Sequence, residues 1–435
     1  MHIVRRHILA KIANISLEER AAVLWSFLYF FSLLCSYYII RPIRDEMGVQ
    51  GGVDNLQWLF TATFFAMLAI VPLFGWISSR YPRKTFLPVA YYFFIANLLI
   101  FYLGFRFGLE PVYIARVFFV WVSVFNLFVV SVFWSVMVDV FSNEQSKRLF
   151  GFIAAGGTVG AISGPALTTM LAVPVGKTTL LLLSALFLFV AVVCMKRIIH
   201  WHERENHDTP AGQTTGDEPG KEKALGGSII DGVKLVFASP YLLGICLLML
   251  LYTTLSTFLY FEQAQIIKDN FVDSNTRTSV FATIDLSVNT LTLVFQLLVT
   301  GRLVQLIGLA WTLALIPLLL SAGFLALGIA PVVVVLIVVQ IVRRAGNYAI
   351  MRPAREMLYV VVDRESKYKA KNFIDTAVYR GGDAVSSWVF TGLKAMGLTI
   401  ANIALIAVPL SLLWAWVSFR MGRWQRKISD ESPNS

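Results

Sequence analysis

Residues 37–52 read YYIIRPIRDEMGVQGG. They close an apolar run, 21–40, of roughly 20 residues, which is long enough to cross a bilayer as one helix. Where such a helix should reach an interface, the chain instead places Arg41, Arg44, Asp45 and Glu46 around Pro42. Proline removes a backbone donor and frees a carbonyl one turn back, so a bent or loosened helix is expected at Pro42. On a helix Arg41 and Asp45 are four apart and share a face. Charges at a bilayer edge can be anchors that snorkel to the headgroups. Against that reading, buried-looking charges, again mostly arginine, recur at comparable places later in the chain.

Working outward, a hydrophobic content of 57% with only 14% charged residues in 435 positions excludes an ordinary soluble protein. Apolar runs of spanning length recur about twelve times, from 21–40 to 370–393 and 399–419. The fold class expected is an all-α polytopic membrane protein. Lys and Arg outside these runs concentrate in the termini and in 78–84, 196–240 and 363–371, which places both termini in the cytoplasm by the positive-inside rule. The net charge of +11 is therefore a membrane asymmetry and not a nucleic-acid footprint. A basic, aromatic tail such as 424–427 would rest on anionic headgroups. Cys35, Cys194 and Cys246 lie inside apolar runs and suit neither a disulfide framework nor a metal site. Residues 1–20 are mixed and charged, without a cleavable-signal pattern, so the first span is retained. Ser16 and Glu19 have capping-box spacing for a charged helix lying along the inner surface.

Between the sixth and seventh runs, 200–228 reads HWHERENHDTPAGQTTGDEPGKEKALGGS, a polar, Gly- and Pro-bearing stretch that cannot bury a core. His200, His202 and His207 within it are more simply chance neighbours than metal ligands. The domain plan is a cytoplasmic segment at 1–20, a six-helix bundle at 21–197, a flexible linker at 198–228, a second six-helix bundle at 229–419, and a basic tail at 420–435.

The turn after the second run reads GWISSRYPRK (75–84), and the turn after the eighth reads GRLVQLIG (301–308). Gly75, Arg80 and Arg83 in the first copy resemble the loop signature G-x-L-x-D-R-x-G-x-R of the major facilitator superfamily, although Ser79 stands where Asp is usual and Pro82 where Gly is. Two such turns at matching places in a six-plus-six chain point to parallel repeats. Gly156, Gly160, Gly164 and Pro165 lie in GGTVGAISGP; glycines four apart line one helix face and allow close helix approach. The same spacing resembles the G-x-x-x-G-P element of facilitator exchangers.

An ionisable side chain inside the membrane costs at least ~2.5 kcal/mol, so it faces a partner or a wet cavity. Run four carries Arg116 and Asp139. Run ten carries Arg343, Arg344, Asn347, Arg352, Arg355 and Glu356, with Arg344, Tyr348 and Arg352 successively four apart on one stripe. Run eleven carries Asp375, Tyr379, Arg380 and Asp383, and runs seven and eight add Glu262, Gln263, Asp285 and Asn289. Pairing between neighbours, Arg355 with Glu356 and Asp139 with Lys147 or Arg148, would make these latches or gates. Arginines outnumber acids in runs one, four and ten, and surplus guanidinium groups in a cavity favour an anionic ligand with a phosphate or a carboxylate.

With these residues in place, the chain resembles the ATP/ADP translocase family of nucleotide antiporters, which has a facilitator-type fold. YYIIRPIRD resembles the family's Y-x-I-L-R-D-x-K-D, with Arg41 on its Arg, Arg44 on its essential Lys and Asp45 on its second Asp. FWSVMVD puts Asp139 on an essential Glu, and FLYFEQAQ puts Glu262 on a second. REMLYVVVDRESKYKAKNFID resembles REMAYIPLDEESKVKGKAAID most closely. The late essential Lys of the family falls on Asp383, so one basic site changes sign.

The resemblance implies a secondary transporter of the inner membrane that moves a nucleotide or another phosphorylated or carboxylated metabolite by alternating access. An enzyme is not expected, since the sequence shows no nucleophile–base spacing, metal cluster or P-loop. Arg41, Arg44, Arg116, Arg344, Tyr348 and Arg352 are expected to bind the substrate. Asp45, Asp139, Glu262 and Asp383 would couple or gate, and Pro42, Gly75, Arg80, Arg83, Gly156, Gly160, Gly164 and Pro165 would serve conformational change. No metal or other cofactor is expected. The partners expected are the anionic substrate and the bilayer, with no nucleic-acid polymer, in a monomer. Two alternatives remain: a proton-coupled exporter of an amphipathic compound, and a non-transporting protein that binds lipid or a partner on the same scaffold.

Overall fold

The computed structural model describes residues 16, 19–80, 83–108, 111–208 and 229–431. Regular structure among them is helical throughout. In the first half of the chain, α1 (Glu19–Gln50), α2 (Leu56–Arg80), α3 (Arg83–Arg106), α4 (Pro111–Val140), α5 (Asn143–Val175) and α6 (Lys177–Asp208) follow one another through short turns. In the second half come α7 (Ile229–Ala238), α8 (Pro240–Asn270), α9 (Ser274–Leu298), α10 (Thr300–Ile329) and α11 (Val333–Gly346). A π-helical segment (Asn347–Met351) leads into α12 (Arg352–Leu358), and α13 (Arg364–Phe373) passes through a second π segment (Ile374–Val378) into α14 (Tyr379–Ala395). The chain closes with α15 (Ile400–Glu431).

Among the described residues, 11 helical stretches are long and apolar enough to span a membrane, so the protein is an all-α polytopic membrane protein. The twelfth expected run, 370–393, is helical but falls outside that set. It carries Lys371, Asp375, Arg380 and Asp383 and is interrupted by the π segment. Large apolar side chains such as Leu24, Phe65, Leu297 and Val334 stand exposed, as they should where the surrounding solvent is lipid.

Several local features follow directly from the residues. The capping box forms: Ser16 N–H donates to Glu19 at 3.1 Å and Glu19 N–H donates to the Ser16 hydroxyl at 3.3 Å. It opens α1 itself instead of a separate surface helix, and Glu19 is also held by Arg148 at 2.9 Å. Helix α1 continues through Pro42 to Gln50, so Arg41–Glu46 ride on the helix and are not an interfacial turn. Gly156, Gly160 and Gly164 do pack as a stripe: a methyl at the first two would run into the carbonyl oxygens of Phe27 and Phe31, and one at Gly164 would come within 2.8 Å of the carbonyl of Cys35. The partners Phe27, Phe31 and Cys35 are themselves four apart, so α1 and α5 interlock along matched rows. Ser142 and Gln145 form a second capping box, at the start of α5.

The described residues group into two compact units. One takes Met1–Gly51, Phe65–Gly216 and Asp273–Leu286; the other takes Gly52–Phe64, Asp217–Val272 and Ser287–Ser435. The core of the first is dense in rings, with Phe30 stacked on Phe133 at 4.0 Å and Trp121 on Phe125 at 5.3 Å, and Tyr29 and Tyr91 share a buried 2.5 Å hydrogen bond. In the second, Tyr252 lies 5.8 Å from the fully buried Trp414. The described part of the 420–435 tail is the last turns of α15. The linker at 209–228, the residues before Ser16, the surroundings of Gly75 and the side chains of His207 and Arg83 lie outside the described residues; Arg83 begins α3, and Arg80 lies over Trp76 at 5.5 Å.

Candidate functional site

In the first unit the cations of α1 meet groups of the protein. Arg41 lies 3.7 Å from Asp285 and over the ring of Tyr38. Arg44 donates to its neighbour Asp45 at 2.8 Å and sits over Phe119 at 4.8 Å. Arg116, on α4, donates to the carbonyl of Gly51 at 3.0 Å. Arg41 and Asp45 ride four apart on α1, and Asp285 and Arg44 are among their respective partners.

A further cluster in this unit was not read from the chain. Glu46 is fully buried, and the guanidinium fork of Arg277 closes on both its oxygens at 2.7 Å. Ser274 donates to it at 2.5 Å, and Lys177 lies 3.6 Å away while donating to Gln50 at 2.8 Å. Asp273, just before α9, accepts from the hydroxyl and the N–H of Thr276, which hold its carboxyl below the usual carboxylate range. Asp139, at the end of α4, is exposed.

The second unit builds a different environment. Arg343 and Arg344 end α11 and are both buried. The π segment then adds a residue to the helical register. It shifts Arg352 off the straight stripe expected for Arg344, Tyr348 and Arg352, and Arg352 emerges exposed, over the Tyr348 ring at 5.1 Å. Pro353 follows. Having no N–H, it leaves the carbonyl of Ala349 without its helical donor, and the hydroxyl of Thr300 supplies one at 2.7 Å.

Arg343 is held by neutral groups: the hydroxyl of Ser256 and the side-chain oxygen of Gln340 at 3.0 Å. Gln340 in turn donates to the carbonyl of Leu259 at 3.2 Å, which fixes α11 against α8. Tyr252, Tyr348 and Tyr379 lie within electrostatic reach of both Arg343 and Arg352. Asn347 donates to the Tyr252 hydroxyl at 3.0 Å, and the rings of Tyr252 and Tyr379 are 6.2 Å apart. Tyr379 begins α14 directly after the second π segment, so both π insertions border this cluster.

The carboxylates of this unit pair with other groups, although Asp375 is also within electrostatic reach of Arg352. Asp375 pairs with Arg355 at 3.0 Å, Glu356 with Lys371 at 2.6 Å, and Asp383 accepts from Thr257 at 3.3 Å and lies 3.8 Å from Arg380. The adjacent Arg355–Glu356 pair expected from the chain is replaced by these two longer-range pairs, since consecutive helical residues point apart. Among the described residues neither Arg343 nor Arg352 pairs with a carboxylate. Glu262, on α8, is fully buried, and among the described residues neither of its oxygens has a hydrogen-bond partner.

Of the expected binding residues, the second unit brings together Arg344, Tyr348 and Arg352 and adds Arg343, Asn347, Tyr252 and Tyr379. Tyr252 carried no signal in the chain, because it sits in an apolar helix in a sequence rich in aromatics. Among the described residues no cluster of His, Cys, Asp and Glu could hold a metal.

Comparison with known proteins bears on what such a cluster serves. A family model, the Major Facilitator Superfamily, matches residues 22–354. ADP,ATP carrier protein 1 of Chlamydia muridarum (strain MoPn / Nigg) is 23% identical over 94% of this chain and 76% of its own length. ADP,ATP carrier protein 2 of Chlamydia pneumoniae is 21% identical over 91% and 87% respectively. Among solved structures, a bacterial homolog of the human lysosomal transporter Spinster superposes with a TM-score of 0.58 at 13% identity, covering 95% of this chain and 98% of that one.

Proposed function

Because the chain belongs to the Major Facilitator Superfamily and is a membrane transporter of that family, we propose that it exchanges an anionic small molecule, a nucleotide or another phosphorylated or carboxylated metabolite, by alternating access. Arg343 and Arg352 carry this reading. Arg343, held by a hydroxyl and an amide, and Arg352, over an aromatic face, leave more of their positive charge for a ligand than a guanidinium closed on a carboxylate does. The three tyrosines supply hydroxyl donors and ring faces suited to a planar or phosphorylated ligand. The ADP,ATP carriers of Chlamydia support the nucleotide class through their names and the length they share with this chain. The distribution of Lys and Arg supports an inner-membrane location with both termini in the cytoplasm.

Reconstituted vesicles loaded with a panel of nucleotides, sugar phosphates and dicarboxylates should show counterflow for at least one class. The same ligand should stabilise the purified protein by ~2.7 kcal/mol at a hundred times its Kd. Counterflow for no anion, or uptake unchanged by Arg352→Ala, would overturn the assignment.

Glu262 favours a second reading, in which transport is driven by protons. Among the described residues its buried carboxyl has no hydrogen-bond partner, a setting suited to a group that exchanges a proton during transport. Proton-driven uptake would accelerate under an imposed pH gradient in the wild type and not in Glu262→Gln; exchange without coupling would ignore the gradient in both.

A further inference from the structure

A groove of about 1410 Å³ lies in the second unit between α8, α10 and α15. This exceeds the ~300–1000 Å³ of ordinary small-molecule pockets. It opens beside Gly308, where α10 breaks with a positive φ of 75°. At this level α10 and α15 touch: a methyl at Gly422 would come within 2.7 Å of the backbone nitrogen of Ala310. One wall is apolar and exposed, formed by Leu247, Trp311 and Trp416, with Phe419 against Trp311 at 4.8 Å.

The rim is cationic, and its cations fall into two classes. Arg426 and Lys427 are compensated on their own helix by Asp430 at 3.9 Å and Glu431 at 3.8 Å. Arg420 and Arg423 pair with no carboxylate among the described residues; they lie over Trp416 at 5.6 Å and Phe419 at 5.9 Å. A guanidinium over a ring face keeps N–H donors for an anion. Being three apart, the two arginines share a face of α15.

We infer that this groove is a site for an anionic glycerophospholipid: the phosphate headgroup between Arg420 and Arg423, and the acyl chains along Leu247, Trp311 and Trp416. A free phosphate would use the arginines but leave the apolar wall bare; a zwitterionic lipid would fill the wall but bring no net charge to the arginines. Basic pockets between spanning helices have the chemistry to take such headgroups.

The test uses the full chain in nanodiscs containing acyl-brominated phosphatidylglycerol or acyl-brominated phosphatidylcholine. Quenching of the Trp311 and Trp416 emission is isolated by difference with Trp311→Phe and Trp416→Phe. Phosphatidylglycerol should quench these two preferentially, and the preference should fall about five-fold for each of Arg420→Gln and Arg423→Gln. Arg426→Gln with Lys427→Gln should keep it, and gel filtration should show all variants folded. Equal quenching by the two lipids would overturn the site. So would loss of preference in the Arg426/Lys427 variant equal to that in the Arg420/Arg423 variant, which is general surface attraction, or full displacement by inorganic phosphate, which is a free-anion site.

Discussion

The arginines of the two units have the same side chain and opposite surroundings. In the first, Arg41, Arg44 and Arg277 lie against Asp285, Asp45 and Glu46. In the second, Arg343 and Arg352 lie among a hydroxyl, an amide and tyrosine rings, with Asp375 within electrostatic reach of Arg352 but closed on Arg355. Counting arginines against acids in a span cannot separate these cases, because the partner decides how much of a charge is offset. A guanidinium closed on a buried carboxylate presents little field to a third group; one held by dipoles presents nearly all of it.

The sharpest way to break this contrast is Arg277→Ala, which strips the fork from a fully buried Glu46. A loss of ~3–5 kcal/mol is expected, with little folded protein surviving detergent extraction. The double variant Glu46→Gln, Arg277→Gln should recover most of it. Wild-type melting in Arg277→Ala, followed by fluorescence-detected size exclusion, would mean that the first-unit pairs are not structural.

Next comes Arg352→Ala, where the loss should be in transport and not in folding. Removing one charged hydrogen-bonding contact to an anion is worth ~1.5–3 kcal/mol, or about 10–100-fold in uptake at limiting substrate. Melting should move by less than ~0.5 kcal/mol, since the side chain is exposed. A variant that melts early and still transports would reverse the contrast between the units.

A change without charge checks that the first unit fails through packing as readily as through pairing. Gly160→Val drives a side chain into the carbonyl of Phe31 and should cost ~1–3 kcal/mol by overpacking. Thermal stability equal to wild type would show that α1 and α5 can separate without penalty. A small structural effect is also expected for Glu262→Gln, which keeps the side chain's shape, with a change below ~1.5 kcal/mol. Its effect should appear as a flattened pH dependence of uptake; an unaltered profile would remove Glu262 from proton coupling.

Much of the architecture was legible because bilayer physics writes long apolar runs into the chain, and because Gly156, Gly160 and Gly164 have a spacing with one ready physical use. The twelfth run was legible as a helix and illegible as a conventional span, since Lys371, Asp375, Arg380 and Asp383 dilute its hydropathy. The site was read only in part. Arg344, Tyr348 and Arg352 stood out at spacings of four, but a π insertion between them follows from packing that no local pattern encodes. Glu46 was visible at once, yet its fork lies 231 residues along the chain, in a polar helix start resembling any cap. Tyr252 was hidden by composition, one ring among many.

The bond from Thr300 to the carbonyl of Ala349 ties two positions into a single evolutionary event. As long as Pro353 stands, any residue at 300 without a hydroxyl strands an oxygen in hydrocarbon. Were Pro353 exchanged first, the helix would close on Ala349 by itself and Thr300 would become dispensable. The path from one pair to another therefore has a direction: proline leaves before threonine, and a lineage arriving at this pair acquires the hydroxyl before the proline.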